Sequence, residues 1–86
     1  RGREGSGMST PIRMPNLGAE TDEARVSTWH KTVGDTVMEG EVIAEIETDK
    51  ANVDLEMPAT GRLTAIHVEA GTDAVVGTVL ATYEEA

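Results

Sequence analysis

Two stretches near the middle of the chain alternate between apolar and polar residues. In EVIAEIET, Val42, Ala44 and Ile46 fall on one side, and Glu41, Ile43, Glu45 and Glu47 fall on the other. In ANVDLEM, Ala51, Val53, Leu55 and Met57 share a side. A period of two sends successive side chains to opposite faces, so both stretches are predicted as half-buried strands. ARVSTWHK and GRLTAIHVE show a similar pattern, enriched in the β-branched residues that suit a pleated surface. Punctuation comes from Pro15, Gly18, Gly34, Gly40, Pro58, Gly61, Gly71 and Gly77. No segment holds a long stripe of helical period, so the pattern predicts an all-β domain.

The two central strands can be put in register. If Asp49-Lys50 is a two-residue turn, Thr48 pairs with Ala51. Ile46 then faces Val53, Ala44 faces Leu55 and Val42 faces Met57, all on one side. A slip of one residue would set apolar against acidic along the ladder, so the pattern specifies the pairing. Glu45 then stands opposite Asp54, which predicts a wet outer face.

An internal repeat extends this reading. Shifted by 37 positions, ARVSTWHKTVGDTVMEGEVIAEIE lies over GRLTAIHVEAGTDAVVGTVLATYE. Arg25 matches Arg62, His30 matches His67, Gly34 matches Gly71 and Gly40 matches Gly77. Val42, Ala44 and Glu47 match Val79, Ala81 and Glu84, and IRMPNLG resembles LEMPATG. Two copies this short cannot each bury a face alone, so they are expected to pack together. The expected result is a flattened barrel or sandwich of two small antiparallel sheets with pseudo-two-fold symmetry. The symmetry sends Lys50 to one end and both termini to the other. It also sends the loop Pro15–Glu23 towards Lys50.

Composition narrows the function classes. An 86-residue chain is one small domain with a modest core. It has no Cys or Phe, one Trp and one Tyr, so the core is expected to be aliphatic and any thiol chemistry must come from a cofactor. The net charge of −9 repels phosphate backbones and anionic membranes, which argues against nucleic-acid binding and suits docking on basic surfaces. No apolar run approaches the roughly 20 residues of a membrane helix. Residues 1–7 have the character of a cloning remnant, with the domain expected over 8–84 and a linker starting at 85–86. A fold that begins soon after Met8 leaves no room for a transit peptide, so a bacterial cytoplasmic protein is expected.

Few residues suggest chemistry. His30 and His67 lie on symmetric strands, so a shared metal is not expected of ligands that must converge. Trp29 reads as a core residue or partly buried plug. GDTVMEG lacks the Gly-Lys pair of a phosphate loop. Lys50, one of two lysines, stands where a two-residue hairpin favours glycine. A tip among Asp49, Glu47 and Thr48 keeps an amine charged, which disfavours a catalytic base and favours a modified residue presented from all sides. A plain solvated turn lysine is the alternative, and the residues alone leave both open.

EIETDKA resembles the lipoylation motif of lipoyl domains in 2-oxo acid dehydrogenase complexes, with the similarity running from Pro11 to Tyr83. The resemblance implies lipoic acid in amide linkage on Lys50, with Glu47, Asp49 and Ala51 as recognition context for the lipoyl ligase or lipoyl transferase. It implies a swinging arm of a dihydrolipoyl acyltransferase component, not an enzyme by itself. The arm takes an acyl group from a thiamin-diphosphate-dependent 2-oxo acid decarboxylase to the acyltransferase catalytic core and coenzyme A. Electrons go to dihydrolipoyl dehydrogenase. The loop Asn16, Leu17, Gly18, Ala19, Glu20, Thr21, Asp22 and Glu23 is the implied recognition surface for the decarboxylase. Many relatives have glycine where Ala24-Arg25 begins the second strand, so this loop's shape departs from the pattern. The alternatives are a biotinyl carrier domain, which would have Met on both sides of the lysine, and an unmodified β-sandwich interaction module.

Overall fold

The computed structural model describes residues 9–18 and 21–86. Eight strands succeed one another: β1 Ser9–Arg13, β2 Glu23–Trp29, β3 Thr36–Val37, β4 Val42–Glu47, β5 Asn52–Glu56, β6 Gly61–Ile66, β7 Thr72–Val75 and β8 Val79–Glu85. They form two antiparallel four-stranded sheets, ordered β1-β8-β6-β3 and β5-β4-β2-β7. No described ladder joins the sheets, so the architecture is a flattened sandwich, not a closed barrel. Among the described residues no helix is long and apolar enough to cross a membrane.

The sheets interlace the two copies. Under the repeat β1, β2, β3 and β4 correspond to β5, β6, β7 and β8, so each sheet holds two strands from each copy. This is why neither half can form a sheet by itself. The short strands β3 and β7 were not evident from alternation. They are symmetric, and each closes the far edge of a sheet against β6 or β2.

The central register holds in part. Ile46 pairs with Val53, Ala44 with Leu55 and Glu45 with Asp54, as alternation predicts. Val42 does not face Met57; it pairs with Glu56, because Ile43 is an extra residue in a β-bulge. The expected outward Ile43 is therefore fully buried beside Ala44, and Val42 is half-buried. The same irregularity recurs in β8 between Arg13↔Val79 and Ile12↔Ala81, where Leu80 turns inward. Ser27 in β2 and Thr64 in β6 are bulged likewise, again 37 apart. The core is aliphatic apart from Tyr83, with Met14, Val26, Ile43, Ile46, Met57, Leu63 and Leu80 at its centre. Trp29 is half-buried and its Nε1 donates to Val68 O at 2.9 Å.

Two turns of the first copy are held by carboxylates. Asp35 Oδ2 accepts from Thr32 N at 2.8 Å and from Thr32 Oγ1 at 3.2 Å. Glu41 Oε1 accepts from Met38 N at 2.8 Å, and its Oε2 accepts from Lys31 Nζ at 3.1 Å. The amide of Thr32, then its hydroxyl, hold Asp35 below the ordinary carboxylate range; the amide of Met38, then Lys31, do the same for Glu41. A depressed folded-state pKa stabilises above the unfolded-state pKa, and that stability is lost as pH falls through the folded value. Melting temperatures followed from neutral pH down to about pH 3 are expected to fall less in Asp35→Asn and Glu41→Gln than in the parent. Parallel curves would show that these bonds add nothing.

Candidate functional site

β4 and β5 run to a hairpin at one end of the sandwich, closed by the Glu47↔Asn52 pair. The first and last described strands reach the other end, where Ser9 pairs with Glu84. The ladders fix this: the start of β2 pairs with Glu47 and with Val75, so β7 ends near the hairpin, and β8, which follows it, runs away from the hairpin towards Glu85.

The turn itself is Thr48–Ala51. Thr48 N donates to Ala51 O at 2.9 Å. The reciprocal backbone bond is replaced by the Thr48 hydroxyl, which accepts from Ala51 N at 3.0 Å and from Lys50 N at 3.3 Å. The hydroxyl also donates to Ala51 O at 2.9 Å. A side-chain oxygen thus supplies the acceptor that the turn needs, which accounts for a tip without the expected glycine. Alternation alone reads Thr48 as a mere flank of the turn. The available signal was a Thr directly before a two-residue turn.

Asp49, Lys50 and Ala51 are exposed, as is Glu47. Among the described residues Lys50 Nζ makes no hydrogen bond or ion pair. Lys50 is exposed at the tip, at the rim of a recess that Thr21, Asp22, Glu23 and Asp49 share with it. Covalent attachment of a prosthetic group to Lys50 needs that access and no enclosing pocket, so the residues present fit such a group.

The long loop reaches the same end. Thr21, Asp22 and Glu23 line a shallow recess with Asp49 and Lys50. Main-chain bonds staple the loop at both ends: Met14 N to Thr78 O at 2.8 Å, Gly77 N to Met14 O at 2.9 Å and Val76 N to Asp22 O at 2.9 Å. Within it, Gly18 N donates to Asn16 Oδ1 at 3.0 Å and Gly18 O accepts from Thr21 N at 3.2 Å. Gly18 has φ 125°, which disfavours any side chain there. Leu17 packs on the core. Ala19 and Glu20 lie outside the described residues.

Charge is distributed unevenly between the sheets. Across the outer face of β5-β4-β2-β7 run Asn52, Glu47, Arg25 and Asp73, then Asp54, Glu45 and Thr28, then Glu56 and Val42. The corresponding rows of the other sheet are Ser9, Glu84, Arg62 and Thr36, then Pro11, Thr82 and Ala65, then Arg13 and Val79. The repeat preserves the frame while carboxylates gather on the sheet that bears Lys50. Arg25 is the cation among them. Its Nε donates to Asp73 Oδ1 at 3.0 Å, a bond that, more than the nearby charges of Asp73 and Glu47, raises its pKa. Cross-strand neighbours Glu47 and Asp73 would otherwise flank an uncharged position.

His30 and His67 follow strands of different sheets, with their amides donating to Ile43 O and Leu80 O, both at 2.8 Å. His30 Nε2 lies 2.8 Å from Glu45 Oε2.

Known proteins resemble this arrangement. The family model described as "Biotin-requiring enzyme", the biotin/lipoyl family, matches residues 10–83. The dihydrolipoyllysine-residue acetyltransferase component of the pyruvate dehydrogenase complex of Staphylococcus aureus is 37% identical over 73 residues, 85% of this chain and 17% of that protein. The lipoamide acyltransferase component of the branched-chain alpha-keto acid dehydrogenase complex of Pseudomonas aeruginosa is 41% identical over 66 residues, 77% of this chain and 15% of that protein. The chain therefore spans under a fifth of the length of these relatives. The solution structure of the lipoyl domain of the 2-oxoglutarate dehydrogenase complex from Azotobacter vinelandii superposes with a TM-score of 0.74 at 30% identity, covering 88% of this chain and 96% of that one. A match over nearly the whole fold, with an exposed lysine at the hairpin tip, places the chain in the biotin/lipoyl attachment family, as a lipoyl-type carrier domain that is not catalytic by itself.

Proposed function

We propose that Lys50 carries lipoic acid in amide linkage and that the domain serves as a swinging arm in a 2-oxo acid dehydrogenase complex. The observation that carries this reading is the position of Lys50: an exposed hairpin tip at the end opposite the Ser9–Glu84 pair. An arm anchored there has the domain's length between it and any tether. Tethering keeps its local concentration high at each active site in turn. Asp49 and Ala51 flank the lysine where a biotinyl domain would carry Met, which favours lipoyl over biotin.

A bound lipoyl group supplies a dithiolane that takes up an acyl group and an electron pair. The chain's own residues supply position and recognition. Thr48 shapes the tip, and Glu47, Asp49 and Ala51 form the context read by a lipoyl ligase or transferase. The loop 16–23, whose residues Thr21, Asp22 and Glu23 stand beside the tip, offers a surface for a thiamin-diphosphate-dependent decarboxylase. The acidic outer sheet suits docking against basic surfaces of that enzyme and of dihydrolipoyl dehydrogenase. The longer protein would be a dihydrolipoyl acyltransferase of the bacterial cytoplasm, whose catalytic core passes the acyl group to coenzyme A.

Co-expression with a lipoyl ligase, followed by mass spectrometry, tests the reading. A lipoyl-sized gain is expected, and it should vanish in Lys50→Ala. A biotin-sized gain with a biotin ligase, or no gain under either condition, would overturn it.

A further inference from the structure

The hydroxyl of Thr48 makes more hydrogen bonds than any other side chain at the tip, yet it holds no part of the core. It gathers Lys50 N, Ala51 N and Ala51 O around one oxygen. These three groups belong to the modified residue and its neighbour. Asp49, Lys50 and Ala51 are all exposed, and no core residue packs over them among the described residues. Beyond the main-chain bond from Thr48 N to Ala51 O that closes the turn, no other described hydrogen bond holds the tip: neither the Lys50 side chain nor that of Asp49 bonds to the body of the domain.

We propose that Thr48 is a positioning residue for the modification of Lys50, holding the backbone of the tip in the form that the modifying enzyme grips. This rests on the reading of Lys50 as the lipoylated residue and adds a specific determinant to it. The step served is acyl transfer from an acyl adenylate. The Nζ–carbon bond forms and the mixed-anhydride bond breaks. AMP leaves with the electron pair, and the Lys50 ammonium gives up two protons to solvent.

The enzyme must meet the tip in one geometry. Without the hydroxyl, Lys50 N and Ala51 N turn to water and the tip samples several geometries. Ordering it then falls on the encounter with the enzyme. That cost appears in binding; a tip already seated in the active site reacts as before. Thr48→Val keeps the branched shape and removes the hydroxyl, while Thr48→Ser keeps the hydroxyl and removes the methyl.

The test is the steady-state kinetics of a lipoyl ligase supplied with lipoate and ATP, with the parent and both variants as substrates. Thr48→Val is expected to raise KM about tenfold with kcat nearly unchanged. Thr48→Ser should restore KM to within about twofold. Amide hydrogen exchange at Lys50 and Ala51 should speed up in Thr48→Val alone, while exchange in the core strands and the melting temperature stay close to the parent. A parent-like KM in Thr48→Val, or a Thr48→Ser variant as impaired as Thr48→Val, would overturn the positioning role. A parent domain that gains no lipoyl mass would instead overturn the reading of Lys50 itself, so the two failures are distinguishable.

Discussion

Ile43→Asp is expected to leave the domain largely unfolded at room temperature, whereas Val42→Asp is expected to leave it folded. Ile43 is fully buried at the bulge of β4, between Val42 and Ala44 of the ladder. A carboxylate there would have no partner, and no buried polar or charged residue is present in the described core to receive it. An unpaired buried charge costs several kcal/mol, roughly the whole stability of a small domain. Val42 is half-buried on the outer side, paired with Glu56, so an Asp there keeps its water at a cost of about 1–2 kcal/mol. Strict alternation predicts the reverse order, with Ile43 among the outward acids. Urea unfolding of the two variants decides between them. A stable Ile43→Asp with a collapsed Val42→Asp would refute the bulge. Leu80→Asp should behave like Ile43→Asp, because Leu80 occupies the same bulge in the second copy and is equally buried.

Gly61→Ala is expected to lower stability by about 2–3 kcal/mol, roughly a 10–20 °C fall in Tm. A Cβ on Gly61 would overlap Glu84 O, and would lie 2.9 Å from Tyr83 Cδ2 and 3.0 Å from Glu84 C. The obstruction is mostly backbone in a paired strand, so relief requires β6 and β8 to part. The first copy has Ala24 at the matching position and tolerates its methyl in a buried site. It also has Ile46 where the second copy has Tyr83, whose ring lies over Gly61. The two differences belong together: a ring across the pair takes the space that a methyl would fill. Ala24→Gly should therefore cost only about 1–2 kcal/mol, from added backbone freedom and the loss of one buried methyl. Thermal melts of both variants test this, and a Gly61→Ala melt within a few degrees of the parent would refute the crowding.

The site was legible in unequal parts. Lys50 is legible as a candidate because its turn lacks the expected glycine and because alternation favours one register for the flanking ladder. The loop's place beside it followed from the repeat, and Thr21, Asp22 and Glu23 do stand next to Asp49 and Lys50. Thr48 escaped notice because its role lies in where one hydroxyl points. The Arg25–Asp73 pair escaped because it joins β2 to β7, a strand too short to leave a pattern of its own.

By itself the sequence determined the all-β class, the twofold repeat, most of the central register and the exposed position of Lys50. Each of these rests on period-two patterning or on self-similarity, which are properties of residue order alone. Only the tertiary structure decided the interlacing of the two copies, the two bulges that carry Ile43 and Leu80 inward, the need for glycine at position 61, and the concentration of acid on the sheet that carries Lys50. Those depend on which strands become neighbours across the sandwich. A bulge adds one residue to the count, which alternation reads as a change of face. A missing methyl shows its purpose only once the Tyr83 ring and the Glu84 carbonyl lie against it.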